Sequence, residues 1–286
     1  MPPQPLKLLM LHGYTQSGPL FHAKSRALIK HITKAFSASH EVAAIYPTGP
    51  IRLDPADIPG YEPPTTNEEH PTPEAPEAYG WFRRSNTANP PLYMGLEDGL
   101  AAVARVLKEE GPFDGVIGFS QGAAMAAMVA SLLEGNVRKE AFGKAKAKGL
   151  GDASDGDKEG VFGYPASFEG LVHPPLKFAI CYSGFRSPGA RYRGFYEEPG
   201  VQTPMLHVLG TLDAVVEESR SRSLIEACVG DPEAEGKVVW HPGGHFLPSQ
   251  RPYLDAAVRF VRESVEEKKG KASEEEEDVN DMDLPF

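Results

Sequence analysis

The sequence has few cysteines and no long apolar run. Two cysteines among 286 residues cannot build the disulfide framework of a small secreted domain. Cys181 and Cys228 lie in an apolar run and a helical pattern, which favours buried, reduced thiols. No stretch reaches the roughly 20 apolar residues that a membrane span requires, and residues 1–5 lack the basic start of an export signal. We therefore expect a cytoplasmic protein without a membrane span.

Positive charge is also scarce, with 29 lysines and arginines against 40 acidic residues and a net charge of −11. Nucleic-acid phosphates require clustered basic side chains, so a nucleic-acid partner is not expected. Ten acidic residues face only three lysines over 263–286. Such a segment repels itself and cannot bury apolar surface. The sequence thus predicts one domain over 1–266 and a disordered acidic tail over 267–286.

Short apolar runs alternate with helical patterns along the chain, which is typical of a parallel sheet covered on both faces. Helical spacing is clear in two apolar series. They are Leu96, Leu100, Val103 and Leu107, and then Leu254, Val258, Val261 and Val265. The pattern predicts an α/β fold with a mainly parallel sheet of about six strands. The strands are expected near 6–11, 42–46, 115–119, 177–182, 204–209 and 237–240.

Two long segments interrupt this alternation. Residues 47–80 contain nine prolines, a composition that favours an extended excursion. The excursion leaves the carboxyl end of a strand, so we expect it to border the functional site. Residues 135–175 begin with a sequence rich in lysine and glycine and continue with apolar residues. This second segment is either a lid that gates the site or a solvated surface loop.

The pentapeptide Gly-Phe-Ser-Gln-Gly at 118–122 joins an apolar strand pattern to a run of small helix formers. A serine at the apex of such a turn has a strained backbone, and glycines on both sides avoid clashes. Its hydroxyl is therefore exposed as a nucleophile. The Gln121 N–H falls in the first turn of the helix, where it has no intrahelical acceptor and can stabilise an oxyanion.

An acid and then a histidine should follow Ser120, each on the loop after a later strand. The motif Gly-Thr-Leu-Asp at 210–213 directly follows the apolar run at 205–209 and ends in Asp213, and His245 lies on a glycine-rich loop after 237–240. Glu217 and Glu218 are alternative acids, but they fall inside the next helical pattern. The sequence thus favours Asp213 and His245 as the partners of Ser120.

His241 competes with His245, but the proline after it restricts its backbone. The two histidines are four residues apart, a spacing that can bind a metal on a helix. Pro242 and the glycines at 243 and 244 argue against a helix there. No metal and no other cofactor is therefore expected.

The first strand pattern ends in His12-Gly13-Tyr14. In serine hydrolases with a sheet of this type, the loop after an early strand supplies a second backbone N–H to the oxyanion. By position that donor is Tyr14. His12 is an alternative base, but its place at the end of the strand indicates a role in shaping the loop.

Five motifs occur in order: LHGYTQSG at 11–18, YGWF at 79–82, GPFDGVIGFSQGAA at 111–124, GTLD at 210–213 and HPGGH at 241–245. Together they resemble the fungal family of serine hydrolases, which includes the vertebrate ovarian-cancer-associated serine hydrolase. The similarity runs from about residue 6 to about residue 262. Acyl-protein thioesterases and carboxylesterases share the HG and GFSQG motifs and are the nearest alternative. Trp81 and Phe82, within a proline-rich segment, favour the fungal family.

The resemblance implies an α/β-hydrolase fold and the cleavage of small-molecule esters or thioesters. It implies Ser120 as nucleophile, Asp213 and His245 as its partners, and Tyr14 and Gln121 as oxyanion donors. Some members of the family are called dihydrofolate reductases, but this sequence has no glycine fingerprint of the Rossmann kind. The alternatives are an inactive binding or scaffold protein with this fold, and a serine peptidase.

Three aromatic side chains, Trp81, Phe82 and Phe185, are candidates for binding the substrate. The alternative is that these side chains pack in the hydrophobic core and do not contact a substrate.

Overall fold

The computed structural model describes residues 4–58, 77–149 and 160–280, with side chains up to Glu266. Its α-helices are α1 (Gly18–Phe36), α2 (Leu96–Glu110), α3 (Gln121–Leu132), α4 (Asn136–Lys148), α5 (Glu218–Ile225) and α6 (Arg251–Asn280). Its strands are β1 (Gln4–Leu11), β2 (His40–Ile45), β3 (Ile51–Arg52), β4 (Tyr79–Gly80), β5 (Arg83–Arg84), β6 (Tyr93–Met94), β7 (Gly115–Phe119), β8 (Phe178–Tyr182), β9 (Met205–Gly210) and β10 (Val238–His241).

Six strands form the central sheet in the order β10-β9-β8-β7-β1-β2, and every neighbouring pair is parallel. All six strands predicted from the sequence are present, each with ends within two residues of the expected positions. The carboxyl ends of parallel strands share one edge of the sheet, where functional groups collect. The loops after β7, β9 and β10 therefore converge.

Helices cover both faces of the sheet, as predicted. On one face, strand residues such as Leu8 and Ile117 pack with α1 and α6. On the other face, residues such as Leu9 and Val116 pack with α2 and α3. The alternation follows from the two-residue period of a strand. The apolar series predicted on α2 and α6 are both buried in these cores.

Helix α3 fills the centre of one face, and every one of its residues is buried. Its small side chains let the helix approach the sheet closely. Helix α1 begins at the N-cap Ser17, whose side chain accepts a hydrogen bond from the Leu20 N–H. These two helices flank the edge at which β1 and β7 end.

Two short antiparallel pairs, β3–β4 and β5–β6, extend the chain beside the central sheet. The first pair joins the two described ends of the segment 47–80, and residues 59–76 of that segment lie outside the described residues. Asp57 lines a cleft that also contains Ser120, so the segment borders the site as expected.

The described parts of 135–175 include α4, whose buried face contains Arg138, Ala141, Phe142 and Ala145. Phe162 and Phe168 are also buried, against the core that contains α2 and α3. Residues 150–159 lie outside the described residues, so a lid there stays a prediction.

Helix α6 continues beyond residue 266 and ends at Asn280, within the segment for which the composition indicates disorder. The division into a domain and a tail stays a prediction. Cys181 is a buried free thiol, as expected. Cys228 differs from expectation: it is free but half-buried, and it lies beyond the end of α5 in a bridge to Val201. Within the described residues, no helix is both long and apolar enough to cross a membrane.

Candidate active site

Ser120 occupies the sharp turn between β7 and α3. Its φ of 53° and ψ of −117° lie in a region that non-glycine residues rarely adopt. A Cβ on Gly118 would lie 2.2 Å from the Gly122 carbonyl oxygen, and a Cβ on Gly122 would lie 2.1 Å from that of Leu11. The flanking glycines are thus required by close backbone approach. The turn holds the serine side chain at the carboxyl edge of the sheet.

The structure brings Ser120, His245 and Asp213 together. Ser120 Oγ lies 2.9 Å from His245 Nε2, and His245 Nδ1 lies 2.8 Å from Asp213 Oδ2. A carboxylate oxygen only accepts hydrogen bonds, so Nδ1 carries the proton in the neutral ring. Nε2 is then free to accept the serine proton.

Asp213 is held by its own backbone loop. Its Oδ1 accepts hydrogen bonds from the N–H groups of Val215 and Val216, at 2.9 and 3.0 Å. Burial alone would raise the pKa of this carboxyl group, but hydrogen bonds from Val216, His245 and Val215 outweigh burial and lower the pKa. Asp213 therefore stays ionised at neutral pH and favours a protonated imidazole beside it.

The alternative acids lie at the start of α5. Glu217 is the N-cap residue of α5, and Glu218 forms an ion pair with Arg222 at 2.6 Å. His241, the alternative base, is buried against the rings of Phe246 and Tyr253. Glu217 and Glu218 therefore do not take the place of Asp213, and His241 does not take the place of His245.

His12 supports the loop after β1. Its Nδ1–H donates to the Gly13 carbonyl, and its Nε2 accepts the Gly49 N–H, both at 2.8 Å. Burial lowers the pKa of His12 to about 4, so the ring is neutral at pH 7. Both ring nitrogens are occupied by backbone groups. His12 thus shapes the loop that carries Tyr14, as the sequence indicated.

Gln121 links the nucleophile turn to the segment before β5. Its Oε1 accepts the Trp81 N–H, and its Nε2 donates to the Phe82 carbonyl, both at 2.7 Å. The sequence pattern indicated a role for the backbone N–H of Gln121 but not this role of its side chain. The signal available in the sequence was the glutamine of the GFSQG motif, which looks like an ordinary helix residue. As the first residue of α3, Gln121 also has an N–H outside the intrahelical ladder.

Ser120 lies between two clefts, and Tyr14 and Val215 line both. The histidine-side cleft has a volume of about 540 Å³ and is lined by His245 and mainly apolar side chains. Among these are Phe119, Phe246 and Leu247. The arginine cleft has a volume of about 520 Å³ and is lined in part by Gln121, Phe82, Phe185, Arg83, Arg84 and Arg220.

Two of the three aromatic candidates, Phe82 and Phe185, line the arginine cleft, although both side chains are largely buried in the core. The prediction that Trp81 binds the substrate is wrong, because its side chain is fully buried and lines neither cleft. Its indole N–H donates to the His12 carbonyl at 2.9 Å. The indole packs in the core and supports the loop instead of contacting a substrate.

A comparison with solved structures identifies the fold. Zea mays acyl-protein thioesterase 2 aligns with a TM-score of 0.53 at 18% identity, covering 92% of this chain and 94% of that chain. The esterase PE8 aligns with a TM-score of 0.50 at 19% identity, covering 91% and 93%. The fold is that of the α/β-hydrolases.

The model of the family described as serine hydrolase (FSH1) matches residues 1–257. The chain belongs to this family and is a hydrolase.

The names of two relatives agree with this assignment, and that of a third does not. Esterase OVCA2 of Danio rerio is 32% identical over 90% of this chain and 98% of its own length. Family of serine hydrolases 3 of Saccharomyces cerevisiae is 30% identical, over 90% and 83%. A dihydrofolate reductase of Schizosaccharomyces pombe is also 32% identical over 90% of this chain, which spans only 47% of that protein.

Proposed function

We propose that the chain cleaves carboxylic esters or thioesters through an acyl-enzyme formed on Ser120. The observation that carries this proposal is the continuous hydrogen-bonded series from the Ser120 hydroxyl through His245 to Asp213, with contacts of 2.9 and 2.8 Å. The strained turn places Ser120, which is 8% exposed, at the junction of two clefts through which a carbonyl group can reach it. The names of the esterase and thioesterase relatives support the same substrate class.

The reaction is a two-step acyl transfer. His245 Nε2 accepts the Ser120 proton while Oγ attacks the substrate carbonyl, and the imidazolium then protonates the departing alcohol or thiol. Water, activated by the same histidine, attacks the acyl-enzyme and releases the acid. Asp213 holds the ring in the required tautomer and stabilises its charged form.

The backbone N–H groups of Tyr14 and Gln121 are the proposed oxyanion donors. Tyr14 lies on the loop that His12 supports, and Gln121 is the first residue of the helix after Ser120. Both residues line the arginine cleft together with Ser120. Removing one such donor typically costs about 100-fold to 1,000-fold in rate.

The proposed substrates are small acyl esters or thioesters, and the proposed location is the cytoplasm. The apolar histidine-side cleft suits an uncharged part of the substrate. The free thiols of Cys181 and Cys228 are compatible with a reducing compartment.

The test is hydrolysis of esters and thioesters of increasing acyl length, from about two to sixteen carbons, because each buried methylene adds about 0.8 kcal/mol of binding. Ser120→Ala is expected to abolish turnover and labelling by a fluorophosphonate probe without a change in melting temperature. Ser37→Ala, which changes an exposed serine at the end of α1, is the matched control and should behave as the unmodified protein.

Undiminished labelling of Ser120→Ala would refute the assignment of the nucleophile. Absence of turnover on every ester and thioester would favour a binding or scaffold role. Faster cleavage of a matched amide than of its ester would favour a peptidase.

A further inference from the structure

The two clefts beside Ser120 differ in charge. The histidine-side cleft contains one lysine, Lys24, at its edge and no acidic side chain among its described lining residues. Among its described lining residues, the arginine cleft has three arginines against one acid, Asp57. Arg83 lies 3.0 Å from Asp57, so these two charges neutralise each other. Arg84 and Arg220 remain as the excess positive charge of this cleft.

Neither Arg84 nor Arg220 forms an ion pair with an acidic side chain of the described residues. Arg220 is half-buried, and its guanidinium stacks on the ring of Phe185 at 4.1 Å. Stacking fixes the orientation of the planar group. The guanidinium also interacts with the Tyr93 hydroxyl, and its remaining edge N–H groups can bind an anion. Arg84 lies on the exposed strand β5 and lines the same cleft.

The same two arginines also line an outer pocket of about 530 Å³ beyond the arginine cleft. Arg186 and Arg193 also line this pocket, and Glu197 pairs with both. Glu226 is a second acid there, so the described lining residues have four arginines against two glutamates. A molecule extending outward from Ser120 along this side therefore passes between arginines. In a chain with a net charge of −11, such a local concentration of positive charge requires an explanation.

The position of His245 decides which part of a substrate enters each cleft. His245 protonates the leaving atom, so the alcohol or thiol lies on the side of the histidine. His245 lines the histidine-side cleft and is absent from the residues that line the arginine cleft. The acyl chain consequently extends along Phe82 and Phe185 toward Arg220.

We propose that the preferred substrates are esters or thioesters whose acyl group ends in a carboxylate, that is, half-esters of dicarboxylic acids. Arg220 and Arg84 bind this carboxylate, and the aromatic side chains contact the methylenes between it and the carbonyl. A guanidinium matches a carboxylate through two parallel hydrogen bonds. Hydrolysis consumes one water and releases the alcohol or thiol and the dicarboxylate. This inference rests on the proposed function.

The experiment compares three acyl chains of equal length on a common alcohol: one ending in a carboxylate, one in a neutral primary amide and one in a methyl group. The ratio of kcat/KM for the carboxylate over the amide is measured for a series of lengths. At the best length we expect a ratio above one, which falls as salt is added because salt screens the charges. The difference should lie mainly in KM.

Arg220→Gln should lower this ratio about threefold to fivefold, the effect of one partly exposed charge pair. Arg84→Gln should lower it in the same direction, and the double variant about tenfold. Arg220→Lys should keep more of the preference than Arg220→Gln. Arg222→Gln removes the same charge from the same helix, where Arg222 pairs with Glu218 and Glu233, and should leave the ratio unchanged.

A ratio of one or less in the unmodified protein at every length would overturn the inference while hydrolysis of the methyl-ended esters still supports the proposed function. A ratio that Arg220→Gln and Arg84→Gln leave unchanged in folded protein would also overturn it. A phosphonate-ended chain cleaved faster than its carboxylate counterpart would contradict the choice of carboxylate. Failure to cleave any of the esters would reject the proposed function itself.

Discussion

Replacing Asp213 with asparagine tests the arrangement of the three reacting side chains with almost no change in shape. Asp213 Oδ1 accepts the N–H groups of Val215 and Val216, and an amide oxygen can keep both contacts. The amide nitrogen then faces His245 Nδ1, which must lose its proton to accept the new donor. The imidazole proton moves to Nε2, which faces Ser120.

A histidine protonated at Nε2 cannot accept the serine proton. The expected loss in kcat is about 10⁴-fold, which corresponds to about 5 kcal/mol in the activation barrier. Stability should change much less, because the side-chain contacts to Val215 and Val216 are retained.

The measurement is the initial rate of hydrolysis of an aryl ester, with the melting temperature recorded for each variant. Glu218→Gln is the control, because it changes the alternative acid on the same stretch of chain and breaks only its exposed ion pair with Arg222. Its kcat should stay within about twofold of the unmodified value. A loss below about tenfold in Asp213→Asn, or an equal loss in Glu218→Gln, would refute the assigned role of Asp213.

Gly122→Ala places a methyl group 2.1 Å from the Leu11 carbonyl oxygen and should lower the free energy of unfolding by more than about 3 kcal/mol with loss of activity. Gly143→Ala, in open space on α4, should raise it by up to about 1 kcal/mol in the same urea titration. Burial lowers the pKa of His12 from 6.5 to about 4, so the unfolded chain binds more protons between these values. The contribution of His12 to the free energy of unfolding should therefore fall by about 3 kcal/mol as pH decreases through this range. His12→Asn should remove this contribution and leave that of His207, whose pKa burial lowers to about 3. An unchanged pH profile in that variant would contradict the neutral buried ring.

The central sheet was predictable because each of its strands is a short apolar run bounded by breaks in the pattern. The convergence of Ser120, Asp213 and His245 was predictable for a related reason, since each lies at the start of the chain segment after one of these runs. Ser120 follows β7, Asp213 follows β9 and His245 follows β10. In a parallel sheet, residues in this position converge whatever their separation in sequence.

The short pairs β3–β4 and β5–β6 were not predictable, because two-residue strands are too short to show a period. Trp81 was misassigned for a different reason. A tryptophan in an irregular segment can pack inward or face a ligand, and the sequence does not contain the direction of its side chain. The hydrogen bond from its indole to the His12 carbonyl resolves the choice.

The arginine cleft was invisible in the sequence. Arg84 and Arg220 are separated by more than a hundred residues and lie on a short strand and on a helix. The overall charge of −11 masks them, because net charge averages over the whole surface. Only the packing of α5 beside the segment after Trp81 brings the two guanidinium groups to one cavity.

Strand β7 lies between β8 and β1 in the interior of the sheet, so a change in the peripheral strands need not alter the position of Ser120. The nucleophile is anchored to an interior strand, whereas Arg84 is carried by a peripheral hairpin, β5–β6, that is not part of the main sheet. If Arg84 binds the substrate as proposed, we expect that exchanging this hairpin between homologues changes the preferred acid and leaves the Ser120, His245 and Asp213 contacts in place.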